Sequence, residues 1–346
     1  FSEGASGLHE KASVTSDLWA AWSDASGQNV AEMMTSWTSQ MGYPVLKVTE
    51  MKIAGKVAQL SVEQSWFLTS GDVPPDERTW CLPIFVQSGD AESKLVVMKS
   101  KTMDLEVPVT DAGFILLNAG MRVPMRVAYT KEMHDSLVKA LKAGKLTDCR
   151  DRAMLVLDAF ALAQAGKMRF DDMFRLIAAY VDEEHYVVLL AISQVLFETS
   201  KLLGGGASPE VVDAFSAFAE KLVQKTWMKV NPGFEAKAGD GHVAGLRRGL
   251  MMKLMSKYAA SPEFIAQSTE RFEKYLEDPQ ANAGALPDEY RVPIFQAILS
   301  RGGAKEHEAL MRTMPKLKSS VEEKHVFLSI GSSSTSELKQ RALKWA

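Results

Sequence analysis

The spacing of hydrophobic residues changes period twice along this chain, and the two changes limit what it can fold into. Val30, Met33, Met34, Trp37 and Met41 recur at helical spacing. Gly42 and Pro44 then interrupt, and Val45-Leu46-Lys47-Val48 opens a region of period two. After about Val127 helical spacing returns and persists to the C-terminus. A short helical segment, a β region and a long helical region are therefore expected in that order.

In the first segment, Ser16 or Asp17 suits a helix N-cap, and Leu18, Trp19 and Trp22 form one apolar stripe. Gly27 suits the left-handed residue that closes a helix. From Val45 to Val127 short apolar runs alternate with turns such as Ala54-Gly55, Gly71-Asp72 and Gly89-Asp90. Mainly turn connections favour an antiparallel β-sandwich over a βαβ arrangement. Beyond Thr130, helices separated by short breaks, such as Gly204-Gly205-Gly206, recur over some two hundred residues. That repetition predicts a helical solenoid, in which each pair buries its face against the next. The resulting division is 1–44 helical, 45–129 β-sandwich and 130–346 solenoid.

Bulk properties narrow the function. A chain of 346 residues exceeds one comfortable core. Its net charge of -3 provides no electrostatic footprint for nucleic acid. The strongest apolar run, Tyr186 to Ile192, is far shorter than the ~20 residues a bilayer requires. Cys81 and Cys149 are too few for a disulfide framework and read as free thiols in a reducing, cytoplasmic setting. No leader pattern opens the chain, and Phe1 points to a processed or shortened polypeptide.

Several motifs resemble the zinc aminopeptidases of the gluzincin class, puromycin-sensitive branch. They are Leu18-Trp19, Ala25-Ser26-Gly27, Met33-Met34, Trp37-Thr38 and Gln40-Met41-Gly42-Tyr43-Pro44-Val45. Trp80-Cys81-Leu82-Pro83, Leu116-Leu117-Asn118-Ala119-Gly120, Leu146 to Arg152, Asp158 to Ala163, Arg291-Val292-Pro293 and Glu322-Glu323-Lys324 continue the likeness. The family's pattern departs at Met125, where an aromatic residue precedes the Arg, and at Thr130, where it has Asp. The resemblance implies the end of a catalytic domain, a β-sandwich spacer and a helical cap that gates the active site, cut short at both ends. It also implies a zinc ion in the intact parent, peptide substrates, and the parent's own catalytic domain as partner.

The chain's own residues carry no such chemistry. A zinc peptidase needs two histidines one turn apart with a carboxylate ligand. His9, His134, His185, His242, His307 and His325 contain no such pair, so no catalytic residue, metal ligand or cofactor is expected here. Gly204-Gly205-Gly206 lacks the Lys-Ser/Thr of a phosphate loop. The acidic runs at Asp182-Glu183-Glu184 and Glu322-Glu323 suit helix starts, and Cys149 reads as structural despite Arg150 and Arg152. Two cations on the helical region, Arg248 and Arg291, remain candidates for a peptide's C-terminal carboxylate, set against helix capping or interhelical salt bridges. The competing reading is an independent interaction scaffold without an enzyme. Under the enzyme reading, Trp19, Trp22 and Trp37 would mark an exposed apolar face that seats the catalytic domain or drives dimerisation.

Overall fold

The computed structural model describes residues 14–71, 76–110, 113–230, 233–235 and 239–345, so His9 and the residues around it lie outside the described residues. The chain divides into two compact units, Phe1–Tyr180 and Val181–Ala346.

The first unit opens with α1 (Thr15–Ser26) and α2 (Val30–Thr38). Asp17 lies inside α1 and takes the Val14 N–H at 3.0 Å, while Gly27 closes the helix in the left-handed conformation. Gly42 (φ 90°) allows the chain to pass the Trp66 indole, where a Cβ would meet Nε1 at 2.2 Å. Strands β1 (Pro44–Ala54), β2 (Val57–Trp66), β3 (Leu82–Ser88), β4 (Lys94–Met98), β5 (Thr102–Pro108), β6 (Ile115–Leu117) and β7 (Arg126–Ala128) follow. They form two sheets, ordered β5-β2-β1-β7 and β4-β3-β6. Leu46, Leu60, Leu105 and Val127 from the first sheet share one buried cluster with Leu82, Ile84, Met98 and Leu117 from the second.

Every strand pair is antiparallel except β1–β7, which is parallel from Val45↔Arg126 to Lys47↔Ala128. This corrects a wholly antiparallel reading. Parallel neighbours need a long connection rather than a hairpin, and nearly the whole β region separates β1 from β7. Trp37 also departs from expectation. Instead of joining an exposed face, its ring packs 6.4 Å from Trp80 and its Nε1 donates to the Cys81 carbonyl at 3.1 Å. The exposed apolar residues of α1 are Leu18 (45%) and Trp22 (50%).

Beyond the strands, α3 (Lys131–Lys142), α4 (Cys149–Gln164) and α5 (Phe170–Ile177) complete the unit. Carboxylates of α4 hold the end of the β region. Asp158, buried, accepts from Arg126 Nη1 at 3.0 Å and from the Val127 N–H at 3.0 Å. Asp151 accepts the Gly120 N–H at 2.5 Å. Asn118, at φ 61°, exchanges two bonds with Val123, and Tyr129 Oη bonds both the N–H and carbonyl of Leu117.

The second unit contains α6 (Tyr186–Gly204), α7 (Pro209–Val230), α8 (His242–Tyr258), α9 (Pro262–Glu277), α10 (Asp288–Arg301), α11 (Ala304–Thr313), α12 (Ser320–Ile330) and α13 (Ser336–Trp345). Helices α6, α8, α10 and α12 pack in succession, and α7, α9 and α11 pack against members of that row. Helix α10 begins at Asp288, so Pro293 of the Arg291-Val292-Pro293 motif lies inside it. The ring omits one helix bond there, and Asp288 and Glu289 supply the first turn instead. Helix α6, at 19 residues, is the one described helix long and apolar enough to cross a membrane, with 44% of that stretch buried. Val188, Leu189, Ile192, Val195 and Leu196 bury its inward face, so its length exceeds the apolar run read from the sequence.

Removing one partner from a buried ion pair leaves an uncompensated charge. Asp158→Ala is therefore expected to destabilise the protein by ~3–5 kcal/mol, measured by urea unfolding. Exposed Asp171→Ala, whose partner Arg169 is also exposed, should change stability by less than ~1 kcal/mol.

Candidate functional site

Both sequence-nominated arginines are buried and paired. Arg248, on α8, is 4% exposed, pairs with Asp240 and bonds Tyr290. Arg291, on α10, is 3% exposed and pairs with Asp288. It also lies 3.6 Å from Glu322, donates from Nε to the Leu286 carbonyl at 3.0 Å and sits 4.7 Å over the Tyr275 ring. Arg291 thus joins residues of α9, α10 and α12. Both guanidiniums have carboxylate partners within the protein.

Cations that do face open space lie elsewhere on the same helices. A groove of about 630 Å³ is lined by Phe197 of α6, Lys253, Ser256 and Lys257 of α8, Arg301 of α10 and Ser332 beyond α12. None of its described lining residues is Asp or Glu. Lys253 and Lys257 stand one turn apart, so both ammonium groups fall on one face of α8. Their Nζ atoms lie 4.3 and 4.9 Å from the centroid of the Phe197 ring, within cation–π range. Arg301 donates from Nη1 to the carbonyls of Ser256 (3.3 Å) and Ala297 (3.1 Å), which fixes it across the ends of α8 and α10. Ser256, 6% exposed, has a buried hydroxyl without a hydrogen-bond partner.

Electrostatics decide what this groove receives. Helix C-termini each carry about half a negative charge, so two such ends do not offset three formal cations. Burial, with Lys253 and Lys201 as neighbours, pushes the Lys257 ammonium below the ordinary lysine range.

Among the described residues, no group of three or more His, Cys, Asp or Glu is placed to hold a metal ion. His134 and His307 are buried, and burial pulls both below the usual imidazole range. His307 Nδ1 is bonded to Ser333 Oγ at 2.8 Å. Both cysteines are free and only partly buried. Gly205 follows the last residue of α6, where a turn leads into α7.

The architecture is a β region followed by packed helices. Residues 114–346 match the profile of the ERAP1-like C-terminal domain, and the chain belongs to that family. It is 30% identical over 304 residues to the puromycin-sensitive aminopeptidase of Caenorhabditis elegans, covering 86% of this chain and 31% of that protein. Identity is 29% over 328 residues with Aminopeptidase M1-A of Oryza sativa subsp. japonica (92% and 36% covered). With Aminopeptidase M1 of Arabidopsis thaliana it is 28% over 336 residues (92% and 37%). The chain spans about a third of the length of these relatives.

Lys253, Lys257 and Arg301 had no sequence signature, because α8 and α10 bring them together only by packing. Their chemistry is checked by pH. Affinity for a carboxylate probe is expected to fall as pH rises through the lowered pKa of Lys257, below that of an ordinary lysine, because deprotonation removes the attraction. Acetate titrations followed by NMR at several pH values should show that fall, and Lys257→Met should flatten it.

Proposed function

We propose that this chain is the non-catalytic C-terminal region of a zinc aminopeptidase. Its β part is a sandwich-like spacer, and its helices form a solenoid cap that gates the active site and holds the distal end of a peptide. The observation that carries the peptide contact is the groove of Lys253, Lys257 and Arg301, which is cationic and contains no carboxylate among its described lining residues. A peptide's C-terminal carboxylate fits it, since charge-assisted bonds to ammonium and guanidinium groups are the strong ones. Arg248 and Arg291 serve this site as positioning residues. Arg248 anchors α8, which bears both lysines, and Arg291 anchors α10, which ends in Arg301.

Among the described residues no cluster fits a zinc site, and in this reading the zinc is held by the catalytic domain of the intact polypeptide. Leu18 and Trp22 on α1, which buries none of its own residues, fit a partner surface for that domain. A second copy of the chain is the other occupant, in a dimer. Two free cysteines support a reducing, cytoplasmic setting.

Calorimetry with this 346-residue chain tests the reading. A peptide of about ten residues with a free C-terminus should bind at least ~10-fold more tightly than its C-terminal amide. The double variant Lys253→Glu, Lys257→Glu should abolish that difference while the unfolding midpoint stays within a few degrees. Equal binding of acid and amide would refute the groove. Hydrolysis of an aminoacyl anilide by the isolated chain would refute its non-catalytic role.

A further inference from the structure

A second cavity, in the first unit, has different chemistry. It opens between β4 and β5, each the outermost strand of its own sheet, and has a volume of about 320 Å³. Alternation along β5 turns Met103, Leu105 and Val107 inward, and leaves Asp104 and Glu106 exposed. Val86 and Val96 complete an apolar wall. The two sheets share a core along most of their length, but their outer strands leave this gap.

Two hydroxyls line the gap without satisfying their hydrogen-bonding capacity. Ser88, at the end of β3, is 7% exposed, and its Oγ has no partner. Thr110, just beyond β5, has a buried Oγ1 that is also without one. Buried polar groups in folded proteins are nearly always bonded, so two orphans on the wall of one apolar cavity call for a partner from outside the chain. A cavity of this size falls at the small end of the range for small-molecule sites. Glu92, Asp104 and Glu106 against Lys94 leave its surroundings net negative, which disfavours an anion.

We propose that this cleft binds a small uncharged molecule with an apolar body and one hydrogen-bonding group, the body against Val86, Val96, Met103, Leu105 and Val107 and the polar group on Ser88 and Thr110. The inference rests on the first unit alone and is independent of the peptide groove in the second. Ligand and protein form two hydrogen bonds in place of two unmet ones. No covalent step is involved.

The probe is benzyl alcohol, titrated into the methyl-labelled full chain and followed by NMR, with benzoate as its anionic counterpart. Saturable shifts are expected at the methyls of Val86, Val96, Met103, Leu105 and Val107, with benzoate at least ~10-fold weaker because of the rim carboxylates. Ser88→Ala should weaken benzyl alcohol about fivefold and leave the unfolding midpoint unlowered, since the side chain makes no bond in the free protein. Val96→Trp, which fills the cleft, should abolish the shifts. Absent or unsaturable methyl shifts would overturn the proposal. So would Ser88→Ala binding as tightly as the parent, benzoate matching benzyl alcohol, or shifts confined to the outer backbone amides of β5.

Discussion

One buried carboxylate organises the first unit. Asp158 lies on α4, and both of its oxygens are used by β7: one takes the Arg126 guanidinium and the other the Val127 backbone N–H. Strand β7 is three residues long and pairs with β1 through a short parallel ladder, so its own strand bonds give it little hold. The carboxylate supplies what the ladder lacks. Burial pushes Asp158 up to about 6 and the Arg126 charge opposes that rise, so the pair is a compromise between desolvation and attraction. Its worth to the protein is therefore geometric as much as energetic. It ties the last strand to α4, and Asp151 does the same for the Gly120 turn.

The second unit uses charge differently. Its helices run in pairs, so the C-terminal ends of successive members of one layer fall near each other. Such ends attract cations for reasons of stability alone. Arg301 illustrates the ordinary use, since it donates to the last carbonyls of α8 and α10. Lys253 is a full turn further back and caps nothing, yet it shares the Phe197 ring with Lys257. Three cations thus outnumber the two helix ends in this groove, and no Asp or Glu is among its described lining residues. Arg248 and Arg291 stand on the same helices and are paired with Asp240, Asp288 and Glu322.

Much of this was legible in the sequence, and the failures have physical causes. The change of hydrophobic period at Gly42–Pro44 placed the helix-to-strand switch correctly, because glycine there avoids the Trp66 ring and proline starts β1. The break at Gly204-Gly205-Gly206 also falls where the sequence put it, since α6 ends at Gly204. The runs Leu116 to Gly120, Leu146 to Arg152 and Asp158 to Ala163 were each legible, but only folding joins Asn118, Gly120, Asp151 and Asp158 with Arg126 and Tyr129 in one hydrogen-bonded junction. Parallel pairing of β7 left no local trace in three residues. Trp37 reads like Trp22 in a helical stripe, and only the position of Trp80 separates a docked ring from an exposed one.

The arginines and lysines show the deeper limit. In sequence, Arg248 and Arg291 stand out by motif, while Lys253, Lys257 and Arg301 look like surface charge. Burial separates the two sets, because a guanidinium that must be desolvated needs a carboxylate beside it, and an ammonium left open does not. Spacing along a helix can place two cations on one face, as it does for Lys253 and Lys257. It cannot supply the third, which arrives on a neighbouring helix 44 residues from Lys257. The helix-pair repeat determines which ends meet, so the groove is a property of the packing and its charge is a property of the side chains placed there.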